Sequence, residues 1–208
     1  MKTESIIFDM DGTLWDSAAN VAASWNDILK TAPDIDLTLT ADDIKSIMGL
    51  TMDAIADKFF SSLPQERRLQ LMDQCGSHEN DYLRVHGGTL FDDLEKTLSV
   101  LSAHHRLFIV SNCQSGYIEA FLEYNNFGKY ITDHLCWGDN QLPKSENIRL
   151  IMTKNNITDG VYVGDTQGDC NSAYSAGTRF IYAAYGFGTA DRYDCAINSI
   201  SELINIIE

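Results

Sequence analysis

Ser5-Ile6-Ile7-Phe8-Asp9-Met10-Asp11-Gly12-Thr13-Leu14 decides the fold of this chain. Ile6 to Phe8 is an unbroken run of β-branched and aromatic residues, which reads as a short buried strand. A strand covered on both faces shows no polar alternation, and that is the pattern of a central parallel strand. Ligands of open α/β sheets sit beyond the carboxyl ends of such strands. Asp9 and Asp11 stand at that end, two positions apart. Gly12 follows, where the chain can turn sharply and bring its backbone close to a ligand.

Outward from this stretch the chain has two grammars. From about Asp16 to His86 the signals are helical. Asp16 or Ser17 can cap a helix running to about Lys30, with Val21, Trp25, Ile28 and Leu29 on one face. Thr40-Ala41-Asp42-Asp43 reads as a capped start of a helix to Met48, ended by Gly49. Thr51 to Phe60 reads as another. Pro64 opens a long one reaching about Val85. No strand is evident in this part.

From Gly87-Gly88 onward strands and helices alternate. Strands are expected at Leu107–Val110, Leu135–Trp137, Val161–Val163 and Phe180–Ala183. Helices are expected from Phe91 to His104, Gly116 to Tyr124, after Ser145 to Asn155, Asn171 to Ala176, and after Ser201. This alternation implies a doubly wound parallel sheet that Ile6–Phe8 joins across the helical insertion. The expected fold class is therefore α/β, with a core of residues 1–15 and 87–208 and a helical unit of residues 16–86.

Bulk properties narrow the partners. The 208 residues carry 15 Lys+Arg against 30 Asp+Glu, a net charge of −15. A surface this acidic argues against nucleic acid and anionic membranes, both of which need basic patches. No run approaches 18 apolar residues, so no transmembrane helix is expected. No basic segment leads an apolar run at the amino terminus, so no signal peptide is expected. The five cysteines form no CxxC pair, which fits reduced thiols and a cytoplasmic location. Cys113 reads as a small packed side chain. The five histidines read as surface or packing residues.

Four chemistry-bearing positions fall at expected strand ends: Asp9 with Asp11, Ser111-Asn112, Lys144, and Asp165 with Asp169. Carboxylates gathered on one rim raise each other's pKa. A hard cation relieves that repulsion, and oxygen-only ligands favour Mg²⁺. Ser111 and Lys144 supply a hydroxyl and a cation suited to phosphate oxygens. A calcium loop is the competing reading of Asp9-Met10-Asp11-Gly12. It lacks a third acid before the glycine and a distal Glu at the required spacing.

In this order the motifs resemble the haloacid dehalogenase-like superfamily in its phosphatase branch. Asp9-Met10-Asp11-Gly12-Thr13 is similar to the DxDGT signature, Ser111-Asn112 to the second motif and Lys144 to the third. Gly164-Asp165-Thr166-Gln167-Gly168-Asp169 is similar to the GDTxxD form of the fourth. The chain departs from the commoner family pattern at Pro143, which precedes the lysine rather than following it. The resemblance implies a Rossmann-like core with a helical cap. It implies that Asp9 is the nucleophile and Asp11 the acid/base. It implies phosphoryl oxygens held by Ser111, Asn112 and Lys144, with Gly12, Thr13 and Asp169 in support. Mg²⁺ would be held by the Asp9 carboxylate, the Asp11 carbonyl and Asp165.

The implied activity is hydrolysis of a small phosphomonoester through an aspartyl-phosphate, by a monomer or homodimer. Gly49-Leu50-Thr51-Met52 resembles the cap loop of phosphoglycolate phosphatase-type members. A sugar phosphomutase of the β-phosphoglucomutase type is the alternative. Val21 and Met52 stand where those members carry a histidine and an arginine, which disfavours it. A phosphate-binding or interaction module without turnover is the non-enzymatic alternative, and the intact acids and lysine speak against it.

Overall fold

The computed structural model describes residues 1–207. Its strands are β1 (Ser5–Phe8), β2 (Trp15–Asp16), β3 (Thr89–Leu90), β4 (Arg106–Ser111), β5 (Ile131–Cys136), β6 (Gly160–Gly164), β7 (Arg179–Ala183) and β8 (Cys195–Ile197). Its first helices are α1 (Ala18–Leu29), α2 (Ala41–Lys45), α3 (Met52–Phe59), α4 (Gln65–His86) and α5 (Leu94–Ser102). Then come α6 (Tyr117–Asn125), α7 (Trp137–Asn140), α8 (Lys144–Lys154), α9 (Gln167–Ala176) and α10 (Leu203–Ile206).

Six strands form one parallel sheet in the order β5-β4-β1-β6-β7-β8. β1 is central, pairing Ser5 to Phe8 with Arg106 to Ile109 on one side and Gly160 to Val163 on the other. The missing alternation in Ile6-Ile7-Phe8 has a direct cause. Ile6 and Phe8 join one core with Leu107, Ile109, Val161 and Val163, packed with α5, α6 and α10. Ile7 points the other way into a second core with Phe108, Val110, Tyr162 and residues of α8 and α9. Helices cover both faces, so Ile6, Ile7 and Phe8 are apolar without alternation.

The four helices α1 to α4 lie between β2 and β3 in the chain. There the structure corrects the sequence reading, which saw no strand. Trp15 pairs with Leu90 and Asp16 with Thr89 in a two-residue antiparallel ladder, where the chain leaves the sheet and returns to it. Two residues are too few to display a period.

Other corrections concern element ends. α2 stops at Lys45 and turns carry the chain to Gly49. β5 begins at Ile131, and Trp137 opens α7 instead of ending a strand. Helix α8 starts at Lys144 with Pro143 at its cap position, so Ser145 lies inside it. α9 starts at Gln167, four residues earlier than expected, because Thr166 and Asp169 form a reciprocal capping box. Ser201 sits within a 3₁₀ turn (Ile200–Glu202) ahead of α10. β8 was not expected at all. All five cysteines are free, and among the described residues no helix is long and apolar enough to cross a membrane.

Candidate active site

Parallel pairing brings the ends of β1, β4 and β6 to one rim. Asp9 is the first residue beyond β1, Ser111 the last of β4 and Asp165 the first beyond β6. Asp9 is anchored by its own amide, which donates to the Val163 carbonyl at 2.9 Å. Met10 is fully buried, so the i, i+2 spacing keeps Asp9 and Asp11 near the rim while the residue between them packs inward.

Lys144 Nζ sits 2.9 Å from Asp9 Oδ1 and 2.6 Å from Asp169 Oδ1, with all three side chains at most 4% exposed. One oxygen from each of Asp9, Asp165 and Asp169 lies within 4.8 Å of the others. Burial, reinforced by Asp169, pushes Asp9 up from 3.8 to about 6 even though Lys144 opposes the shift. Burial, with Asp169 and Asp9 adding to it, pushes Asp165 up to about 7. Burial works against the Lys144 ammonium, but the Asp169 and Asp9 carboxylates outweigh it and hold its pKa above the ordinary lysine value. One ammonium faces three buried carboxylates, so the set is short of positive charge. Its all-oxygen donors fit a hard divalent cation such as Mg²⁺.

Asp169 has its oxygens divided. Oδ1 takes the lysine, while Oδ2 accepts from the Thr166 amide at 3.0 Å and the Thr166 hydroxyl at 2.7 Å. It is at once the capping acid of α9 and the positioning partner of Lys144. The Asp165 carboxylate accepts from the amides of Phe187 (2.8 Å) and Gly188 (3.3 Å), and from the Thr13 hydroxyl at 3.4 Å.

Gly12 has φ +82°, and a Cβ there would lie 2.3 Å from Asp165 Oδ2. Gly186 is closed in as tightly: a Cβ would meet Asp165 Cβ at 2.3 Å and the Gly12 carbonyl at 2.4 Å. Both glycines let backbone press against Asp165.

Asp11 faces elsewhere. Its carboxylate accepts from Ser17 Oγ at 2.5 Å and from the Tyr117 hydroxyl at 2.8 and 2.9 Å. Ser17 therefore occupies the cap position of α1 without capping it, and Asp16 accepts from the Ala18 amide instead. Burial raises Asp11 to about 7, with the Ser17 and Tyr117 hydroxyls holding it back.

Ser111 is buried at the rim. The Asn112 amide donates to the Gly49 carbonyl at 2.8 Å, tying β4 to the helical segment, while its Oδ1 is buried without a partner. Trp15 is fully buried beside Tyr117 and Phe121 and acts in packing.

A narrow cleft with a cavity volume of about 50 Å³ runs from Asp9 and Asp11 along Ser111 and Asn112 to the helical segment. Val21, Trp25, Ile44 and Met52 line its far wall. So does Glu79, which sequence reasoning passed over. It lies 3% exposed on the buried stripe of α4 with Cys75 and Leu83, and accepts from Trp25 Nε1. Burial pushes it up to about 8, against the Trp25 hydrogen bond. An acid four residues from Cys75 and four from Leu83, within an apolar stripe, was the available signal. Ser17 and Tyr117 carried none, because their partner lies across the fold.

A sequence model of haloacid dehalogenase-like hydrolases matches residues 6–183. A phosphoglycolate phosphatase of Vibrio parahaemolyticus is 25% identical over 230 residues, covering 97% of this chain and 95% of its own. A haloacid dehalogenase-like hydrolase structure from Bacteroides fragilis superposes with TM-score 0.83 at 22% identity, over 97% of this chain and 99% of the other. A structure from Haemophilus somnus described as a predicted phosphoglycolate phosphatase gives TM-score 0.82 at 21% identity, over 98% and 97%.

Proposed function

The chain belongs to the haloacid dehalogenase-like hydrolases and is a phosphatase of that family, and from this premise we propose that it hydrolyses a small phosphomonoester through a phosphorylated Asp9. The observation that carries the proposal is the buried cluster in which Lys144 lies 2.9 Å from Asp9 and 2.6 Å from Asp169, with Asp165 alongside. A lysine held by two carboxylates at a sheet edge is a charged socket for a phosphoryl group.

In this reading Asp9 attacks phosphorus, the Asp9–phosphorus bond forms and the bond to the alcohol oxygen breaks. Asp11 gives its proton to the departing oxygen. It then takes a proton from the water that attacks phosphorus, which releases inorganic phosphate and restores Asp9. The raised pKa of Asp11, about 7, suits a group that must hold a proton first and accept one later. Ser17 and Tyr117 orient its carboxylate. Lys144, Ser111 and Asn112 bind the phosphoryl oxygens, and Asp169 keeps the lysine in place.

The Asp9 and Asp165 carboxylates and the Asp11 carbonyl would hold Mg²⁺. When bound it screens the negative nucleophile from the negative phosphate. Residues 16–86 act as a cap over a core of residues 1–15 and 87–208, keeping bulk solvent from the site while the phosphoryl group passes to Asp9. The relatives' name puts phosphoglycolate among the substrates to be tested.

The direct test is Asp9→Asn assayed on p-nitrophenyl phosphate with Mg²⁺. Turnover should vanish while the circular dichroism spectrum stays that of the parent. Mass spectrometry of quenched parent enzyme should find one phosphoryl group on the peptide containing Asp9. Retained turnover in the variant, or a phosphoryl group elsewhere, would remove Asp9 from the nucleophile role.

A further inference from the structure

The phosphatase reading identifies the phosphoryl group and leaves its alcohol open; the inference here rests on that reading and concerns the alcohol. The cleft beyond Asp9 and Asp11 is where the alcohol must project. Its walls are apolar at Val21, Trp25, Ile44 and Met52, and polar at Asn112, Gln114 and Glu79. Among the described residues no lysine, arginine or histidine lines it. Lys144 is engaged by Asp9 and Asp169. Lys45, the basic residue of α2, is paired with Asp16 at 2.7 Å and stands over the Phe187 ring.

An alcohol bearing a carboxylate or a second phosphate would therefore bring an anion against a wall with no cation to meet it. Unpaired buried charge is heavily disfavoured. Glu79 is the distinctive group. It is nearly inaccessible, on the buried stripe of α4, and spends one oxygen on Trp25 Nε1. A carboxyl group has lone pairs for further donors. The Gln114 amide is already turned to Asn80 Oδ1 at 3.1 Å and the Gly76 carbonyl at 3.4 Å.

We propose that the substrate is a small alkyl phosphate whose alcohol carries no second anion, and that Glu79 selects it by accepting a hydrogen bond from a hydroxyl or ammonium group on that alcohol.

Three phosphates with one two-carbon skeleton test this: 2-hydroxyethyl phosphate, O-phosphoethanolamine and 2-phosphoglycolate, ending in hydroxyl, ammonium and carboxylate. With Mg²⁺, kcat/KM for the first two should exceed that for phosphoglycolate by at least about tenfold, the scale of one buried polar contact made or left unmade. Glu79→Gln, which keeps the shape and puts an NH₂ donor in place of one acceptor oxygen, should bring the ratio to within about threefold, mainly through KM. Glu79→Asp should keep the ranking at a higher KM, which a purely structural role of Glu79 would not produce. Equal or better use of phosphoglycolate by the parent would overturn the substrate class. An unchanged ratio in well-folded Glu79→Gln would overturn the role of Glu79.

The two readings fail separately. Turnover of p-nitrophenyl phosphate with a preference for phosphoglycolate refutes only the substrate class. No turnover of any ester refutes the phosphatase reading. In that event, calorimetric binding of the three compounds to the parent protein and to Asp9→Asn still ranks them, and a ranking led by phosphoglycolate overturns the proposal.

Discussion

Replacing Asp165 with Asn should stabilise the metal-free protein above neutral pH while abolishing turnover. Asp165 is fully buried, and its oxygens accept from the Phe187 and Gly188 amides and the Thr13 hydroxyl. An asparagine keeps an acceptor for the amides and turns its NH₂ toward the Thr13 hydroxyl, which can accept. What disappears is a charge that burial and two neighbouring carboxylates oppose. The distance from 3.8 to about 7 is worth about 4 kcal/mol once the group is ionised. Part of that repulsion belongs jointly to Asp9 and Asp169, so about 2 kcal/mol is the expected gain. For a chain of this length that is a Tm increase of about 4–8 °C.

The pH dependence has a definite sign. Between 3.8 and about 7 the folded protein keeps the Asp165 proton and the unfolded chain loses it, so parent stability falls as pH rises through this window. The Asn advantage should be absent at about pH 4, grow through pH 6 and level off by pH 8. Mg²⁺ should raise the Tm of the parent and leave the variant nearly unmoved, since binding stabilises only a fold that has the site. Thermal melts at those pH values, with chelator and with Mg²⁺, decide the matter. A variant no more stable than the parent in chelator at the highest pH would refute the claim that Asp165 is held at an energetic cost.

Tyr117→Phe should move the limb of the kcat/KM pH profile that reports Asp11 to higher pH. It removes a hydroxyl that favours the Asp11 carboxylate, whose pKa burial already puts at about 7. The ring keeps its edge contact with Trp15, so the Tm should change little, and an unmoved profile would count against Asp11 as the acid/base. Gly186→Ala should cost about 1–3 kcal/mol and remove the Mg²⁺-induced rise in Tm, because its methyl would meet Asp165 Cβ at 2.3 Å. Gly177→Ala is the control: it has φ +83° but nothing within 4 Å of the new methyl, so it should cost about 1 kcal/mol and leave turnover intact. Loss of activity there would show that backbone strain alone, rather than crowding at Asp165, disables the enzyme.

Much of the site was legible because its parts are local. Asp9, Asp11 and Gly12 follow a strand run, and Asp165 follows another, so each could be assigned to a strand end from its neighbours. Lys144 could be singled out, but its partners could not, since Asp9 lies 135 residues away and Asp169 25. The structure makes Asp169 both the capping acid of α9 and the partner of the lysine, one oxygen to each, a pairing no local pattern displays. Ser17 looked like a helix cap, and its hydroxyl goes to Asp11 instead, because a bond to a carboxylate is charge-assisted and Asp16 already takes the Ala18 amide at the start of α1.

By itself the sequence determined the α/β class, the central strand, the helical insertion and the acids at the strand ends. These follow from periodicity, capping and turn chemistry within a few residues. The tertiary structure alone decided the order β5-β4-β1-β6-β7-β8, which sets β1 between β4 and β6 and so gathers Asp9, Ser111 and Asp165 on one rim. It alone joined Tyr117 to Asp11 and carried Glu79 on α4 to the cleft. Such pairings arise when distant segments bury their apolar faces together, and no local pattern records which polar groups then meet.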